Sequence, residues 1–274
     1  MPMIGPSTSS PLSRFRGTST VTPRNPWLVW PQLKASARFQ LICIPYAGGS
    51  AYIFNDWPKH LPDWVQICAI QLPGRGRRIK EPAFTQLSAI VPPLAEALLP
   101  YLGRRFAFLG QSMGALISFE VIRELRRIHK LRASHLFVSG CFAPHIPDPN
   151  PLHSLPDQEF IGELKRLQAI APAALDNSEL MQLMLPTLRA DCLVTETYAY
   201  QNDLPLECPI TIFGGTEDTI AKEEDLEQWQ RHTNGRFSRY IFPGKHFFFE
   251  TAETSILQIV SREIGKTLDA LASI

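Results

Sequence analysis

The chain has 274 residues, 45% of them hydrophobic and 19% charged, with 27 basic against 26 acidic side chains. That length suits one α/β domain, which runs to roughly 250 residues before splitting and buries a full core without disulfide or metal staples. A net charge of +1 excludes a polyanion binder by composition, because nucleic acid and anionic membrane call for a concentrated basic field, and no run of about 18 apolar residues offers a membrane span.

The first 38 residues carry Arg14, Arg16, Arg24, Lys34 and Arg38 and no acidic residue, and six prolines lie between Pro2 and Pro31. A segment so dense in Ser, Thr and Pro buries too little apolar surface to order itself. Residues 1–37 are therefore expected as a basic tail ahead of a domain at 38–274. An organellar transit peptide has a similar composition, although the prolines oppose the amphipathic helix such peptides form. A plain extension is the preferred reading, with Trp27 to Trp30 as the part that would dock on the body.

From Phe39 onward short β-rich apolar runs alternate with segments of helical period. Strands are expected at Phe39 to Ile44, Val65 to Gln71, Phe106 to Leu109, His135 to Ser139, Ile210 to Phe213 and Phe237 to Phe242. Helices are expected at about Ala51 to His60, Leu87 to Leu102, Met113 to Lys130, Glu223 to His232 and Thr251 to Ser273. Nearly continuous apolar strands alternating with helices predict a mostly parallel sheet covered on both faces, with its site at the carboxyl ends of the strands. After Ser139 the alternation stops for about 65 residues. A proline-rich connection leads into helices at about Asp157 to Gln168 and Ser178 to Tyr200, the second broken at Pro186. This helical insertion, about 143–203, is expected to cap the carboxyl edge as a lid. Five cysteines, Cys43, Cys68, Cys141, Cys192 and Cys208, are widely spaced with no CxxC. They read as buried thiols in a reducing, cytoplasmic setting rather than as metal ligands or disulfides.

Gly110-Gln111-Ser112-Met113-Gly114 follows the strand at Phe106 directly and opens a helix. A Ser on a sharp strand-to-helix turn is the pattern of an exposed nucleophile, with flanking glycines letting strand and helix approach. Such a Ser needs an imidazole base held by a carboxylate, in the chain order Ser, acid, His. Of seven histidines only His246 sits in a loop between the last strand and the last helix. For the acid, Asp218 in Gly214-Gly215-Thr216-Glu217-Asp218 follows the strand at Ile210, with Glu217 one residue away and Asp191 a rival if the insertion folds back. An oxyanion needs two donors: the backbone N–H of Met113, and one from the loop Pro45 to Ser50, for which Ala47 is chosen.

With these residues, the chain resembles the type II (external) thioesterases that accompany nonribosomal peptide and polyketide synthases. The resemblance covers Phe39 to the C-terminus. It rests on Pro45-Tyr46-Ala47-Gly48-Gly49, Leu72-Pro73-Gly74-Arg75, Gly110 to Ala115, Leu185 to Asp191 with Glu196 and Tyr198, and Pro243 to Phe248. Gln111 departs from it, standing where the family usually has His. The resemblance implies an α/β-hydrolase fold and hydrolysis of acyl thioesters on the phosphopantetheine arm of carrier domains, which clears misprimed synthases, without cofactor or metal and as a monomer. The loop Arg75, Arg77, Arg78 is read either as a docking site for an acidic carrier and its phosphate or as a solvated charge run. Arg123, Arg126, Arg127 and Lys130, on one helix, are expected to face solvent. The alternatives are a general carboxylesterase acting on small oxygen esters, or a catalytically silent partner of a synthase.

Overall fold

In β2 (Phe39–Ile44), alternate side chains go to opposite faces of a sheet. Ile42 and Ile44 join the core under α1 (Leu87–Leu98) and α2 (Met113–His129), while Phe39, Leu41 and Cys43 join a second core that contains Ile256, Leu257, Val260 and Ile264 of α6 (Phe248–Ala272). Every residue of β2, of β3 (Val65–Ile70) and of β5 (His135–Ser139) is buried. That is why these strands are apolar throughout rather than alternating. The computed structural model describes residues 25–149, 151–167 and 177–272. With β1 (Leu28–Val29), β4 (Arg105–Gln111), β6 (Ile210–Gly215) and β7 (Phe237–Phe242), they form a seven-stranded sheet of order β1-β3-β2-β4-β5-β6-β7. It is parallel except for β1. The chain steps from β2 outward to β3 and then returns to the far side of β2 as β4. The loops leaving the carboxyl ends of β2 and β4 therefore diverge and open a crevice between them.

The expected mostly parallel α/β sheet with helices on both faces is thus present. Three local expectations are corrected. The segment at Ala51 is two 3₁₀ turns, Ala51–Phe54 and Trp57–Lys59, not one helix. Pro186 does not break its helix: α4 runs unbroken as Ser178–Glu196. Its proline lies on the exposed face, while buried Leu185, Thr187, Leu188 and Asp191 seat the opposite face.

The third correction concerns the tail. Residues 1–24 of the expected tail lie outside the described residues, but from Asn25 the chain is packed on the body. β1 pairs antiparallel with β3, Trp27 stacks on Phe84 at 5.9 Å, and Lys34 Nζ donates to the carbonyls of Pro58, Leu61 and Pro62. A composition average hides the few large apolar residues, Trp27, Leu28 and Trp30, that seat this stretch. Between β5 and β6 the insertion supplies α3 (Asp157–Arg166) and α4, which share a small core of Leu152, Phe160, Leu164, Met181, Leu185 and Leu188. Positions 150 and 168–176 of the expected insertion are outside the described residues. A short α5 (Glu223–Glu227) connects β6 to β7, and no described helix is long and apolar enough to cross a membrane.

Candidate active site

Ser112 links β4 to α2 with φ 50° and ψ −119°, a conformation that a residue with a Cβ rarely adopts. Its neighbours hold it there. The Ser112 N–H donates to the Ser139 carbonyl at 2.7 Å, and its carbonyl accepts from the Ala115 N–H at 2.8 Å. Flanking glycines are obligatory for contact reasons: a Cβ on Gly110 would stand 2.2 Å from the Gly114 carbonyl oxygen, and one on Gly114 2.2 Å from that of Ile44. The turn therefore presses α2 against the ends of both β4 and β2, and Met113 opens α2 with its N–H at the positive end of a 17-residue helix.

His246 comes from the loop between β7 and α6 and lies 2.9 Å, through Nδ1, from Asp218 Oδ2. The Asp218 side chain is fully buried, and its Oδ1 accepts from the N–H groups of Ile220 and Ala221 at 2.9 and 3.1 Å. A carboxylate satisfied in this way stays put and fixes the ring. With Nδ1–H given to Asp218, the imidazole keeps its Nε2 lone pair for another proton. Ser112 and His246 both line a cavity of about 190 Å³ walled by Tyr46, Trp57, Gln111 and Phe247. Both also line a second cavity of about 130 Å³, where they meet Ala47 and Met113 and the apolar residues Leu152, Leu164 and Leu188 of the insertion. The insertion thus covers the serine and gives it an apolar chamber.

Glu217 is exposed, and its backbone N–H, not its carboxylate, holds the His246 loop through the Gly244 carbonyl. Asp191 does fold back, but onto Arg75 rather than His246: Arg75 Nη1 and Nη2 donate to its two carboxylate oxygens at 2.6 and 2.7 Å. This departs from both readings of the arginine loop at two of its three members, Arg75 and Arg78, which are buried. Arg75 is buried in that pair. Arg78 is buried between Glu81 and the face of Trp27, and Arg77 donates to the carbonyls of Asn25, Pro26 and Leu28. Arg75 and Arg78 are thus paired with carboxylates, while Arg77 stays exposed and holds the segment at 25–29 that composition assigned to a tail. Arg123 and Arg126 likewise do not simply face solvent. They donate to the Gln201 and Pro205 carbonyls, anchoring the chain that leaves α4.

The cysteines are unpaired. Burial pushes the Cys141 and Cys208 thiols up to about 12 and raises Cys192, which borders the apolar chamber, further still. Thiols held protonated are poor nucleophiles, so they do not compete with Ser112. Among the described residues no group of His, Cys, Asp or Glu is placed to hold a metal. Two features escaped sequence reasoning: the Tyr46 and Phe247 rings, packed edge to face at 4.9 Å beside the serine, and the Arg75–Asp191 pair. The second had a signal, since both residues sit in motifs that stood out, but nothing in their spacing joins them.

Residues 39–264 match the family described as thioesterase domain. The chain is 43% identical over 247 residues to the protein named linear gramicidin dehydrogenase LgrE of Brevibacillus parabrevis, covering 88% of this chain and 94% of that one. It is 42% identical over 245 residues to the gramicidin S biosynthesis protein GrsT of Aneurinibacillus migulanus, covering 89% and 96%. Among solved structures, RedJ, a thioesterase from the prodiginine pathway of Streptomyces coelicolor, superposes with a TM-score of 0.79 at 36% identity over 84% of this chain and 87% of that one. BorB, a type II thioesterase from the borrelidin cluster, superposes with 0.80 at 30% identity over 86% and 97%.

Proposed function

The chain belongs to the thioesterase domain family, and on that premise we propose that it hydrolyses acyl thioesters borne on the phosphopantetheine arm of carrier domains, freeing synthases that carry the wrong acyl group. It is a thioesterase of the α/β-hydrolase fold. The observation that carries the proposal is the conjunction of a strained Ser112, a His246 fixed by buried Asp218, and one apolar chamber that both share. In this reading Ser112 Oγ attacks the thioester carbonyl while His246 Nε2 takes its proton and Asp218 holds the imidazolium. The N–H groups of Ala47 and Met113 meet the oxyanion, each such donor being worth roughly 10²–10³ in rate. His246 then returns the proton to the departing thiol, and a water activated by the same nitrogen releases the acyl group. A thioester has little resonance to lose, so the first step demands less than an amide would.

Leucines of the insertion suit an alkyl or acyl chain. We take it to act as a monomer, since one chain holds a complete set of the residues the mechanism needs, and unpaired thiols support a reducing compartment such as the cytoplasm. We count residues 25–37, which pack on the sheet, as part of the working domain rather than of a tail. Mass spectrometry of a panel of acylated carriers tests the proposal. Wild-type protein should strip particular acyl groups and the Ser112→Ala variant none. Untouched carriers alongside rapid cleavage of p-nitrophenyl esters would favour the carboxylesterase reading instead.

A further inference from the structure

The Arg75–Asp191 pair lies outside the mechanism above, yet its side chains are 5% and 3% exposed and joined by two hydrogen bonds. A buried ion pair contributes little to stability, since an apolar substitute of the same volume commonly does as well. What it does contribute is fixed geometry, and here that geometry bears on the loop after β2. Asp191 Oδ2 also accepts the Gly48 N–H at 2.7 Å. One residue earlier, the Tyr46 carbonyl is held by the Gly49 N–H at 2.9 Å. In a trans peptide the carbonyl and the following N–H point in opposite directions, so this bond turns the Ala47 N–H away from the inside of the turn. Both peptide groups that flank Ala47 are thereby fixed, one by the turn and one by Asp191. Arg75 is anchored in its own loop through Nε on the Pro73 carbonyl and through its carbonyl on Gln71 Nε2, while Gln71 Oε1 holds the Ala51 N–H. Thr187, one turn before Asp191 on α4, donates to the Gly74 carbonyl at 2.7 Å. Leu188 packs so closely on Gly48 that a Cβ there would lie 2.6 Å from its Cδ2.

We propose that Arg75 and Asp191 are positioning residues for the oxyanion hole: through the Gly48 N–H they hold the Ala47 N–H in place, so that seating α4 of the insertion is a condition of catalysis. The inference rests on the hydrolase reading of Ser112. It explains why motifs of the β2 loop, the β3 loop and α4 occur together in one chain, since their residues meet in a single bonded network.

The test compares Asp191→Ala with the volume-matched double variant Arg75→Met/Asp191→Leu, which leaves no buried charge unpaired if the single variant does not fold. In the folded double variant kcat on an acyl-carrier thioester should fall roughly 10²-fold, the low end of the loss of one oxyanion donor. KM should stay within about threefold, because the contact matters in the transition state. Inhibition by an alkylboronic acid, whose tetrahedral adduct on Ser112 needs the same hole, should weaken by a comparable factor per titrated active site. A merely structural role would lower melting temperature and active fraction and leave that inhibition constant alone. A folded double variant with kcat and boronic acid inhibition within twofold of wild type overturns the inference, as does a raised KM with kcat intact. Ser112→Ala, run alongside, separates the two levels. Turnover persisting in Ser112→Ala removes the hydrolase reading itself, whereas a silent Ser112→Ala beside a fully active double variant removes only the positioning role.

Discussion

Asp218 and Asp191 are both buried carboxylates paired with a nitrogen side chain, and their partners assign them different work. Asp218 bonds the ring that shares a cavity with Ser112, whereas Asp191 bonds a guanidinium and a backbone N–H one step from Ala47. Asp218→Asn replaces the acceptor with an amide that tolerates the wrong imidazole tautomer. It should lower kcat on the order of 10⁴, as the corresponding change does in the Ser-His-Asp triad. Asp191→Asn should cost far less, since it weakens the support of a donor and leaves base and nucleophile intact. Steady-state kinetics of both variants check the ranking, and its reversal would move the acid to the insertion. At this scale the sequence was most legible in where it places side chains at strand ends. Ser112, Asp218 and His246 each stand in the loop after a strand, and the carboxyl edge of a parallel sheet brings such loops together without any side-chain contact having to be foreseen. Arg75 and Asp191 are 116 residues apart and joined only by the way α4 folds back, so charge and motif alone left the arginine open to a docking role.

Strand β1 and the helices of the insertion are held by contrasting means. β1 has only two residues, but Leu28 is buried and Trp27 is clamped between the Phe84 ring and the Arg78 guanidinium. A chain beginning at residue 36 loses these contacts together with the buried Lys34 ammonium, and exposes the edge of β3. Removal of a buried Leu and a partly buried Trp costs roughly 2–4 kcal/mol. That should lower the melting temperature by about 5–15 °C at a slope of 2–4 °C per kcal/mol. Calorimetry of chains beginning at residues 25 and 36 measures it, and equal melting temperatures would show β1 to be ornamental. In the insertion, α3 rests on the small core it shares with α4, while the second half of α4 is also bonded to the β2 and β3 loops through Asp191 and Thr187. Hydrogen exchange should find residues 188–194 protected nearly as well as β4 and residues 158–166 opening much faster. Uniformly fast exchange across both helices would mean that α4 moves with the lid and that its bonds to the loops are transient. Pattern reading found both helices but not this division, because helical period reports which face is apolar and is silent on which neighbour covers it.

For the whole molecule, alternating strands and helices announced a covered parallel sheet, but not the order β1-β3-β2-β4-β5-β6-β7, which arises from tertiary packing. Nor did they reveal that two histidines would be enclosed by that packing, and this sets how the fold responds to acid. His135, in the middle of the sheet, stacks on Phe137 at 4.1 Å and bonds Thr211 Oγ1 through Nε2, while its Nδ1 is buried without a partner. Burial, helped by the charges of Arg236 and Lys266, pushes it down to about 3. His232, against His145 and the Trp229 and Phe119 rings, is pushed down to about 4, chiefly by burial. In the unfolded chain both titrate near 6.5. Between that pH and the native values the unfolded chain holds protons that the native state lacks. Stability therefore falls as pH drops below about 6.5, by about 1.4 kcal/mol per pH unit for a fully enclosed group, and does not depend on these residues above that pH. The decline attributable to His232 ends near 4, and that attributable to His135 continues to about 3. Replacing His135 with Gln, which keeps a hydrogen-bonding partner for Thr211 and cannot titrate, should remove its contribution. The loss of unfolding free energy between pH 7.5 and pH 5, measured by urea titration, should then shrink by about 2 kcal/mol relative to wild type. An unchanged loss would mean that the ring at 135 is protonated in the native sheet. In that case the acid response would rest on His232, its neighbour His145, whose burial also lowers it, and the carboxylates.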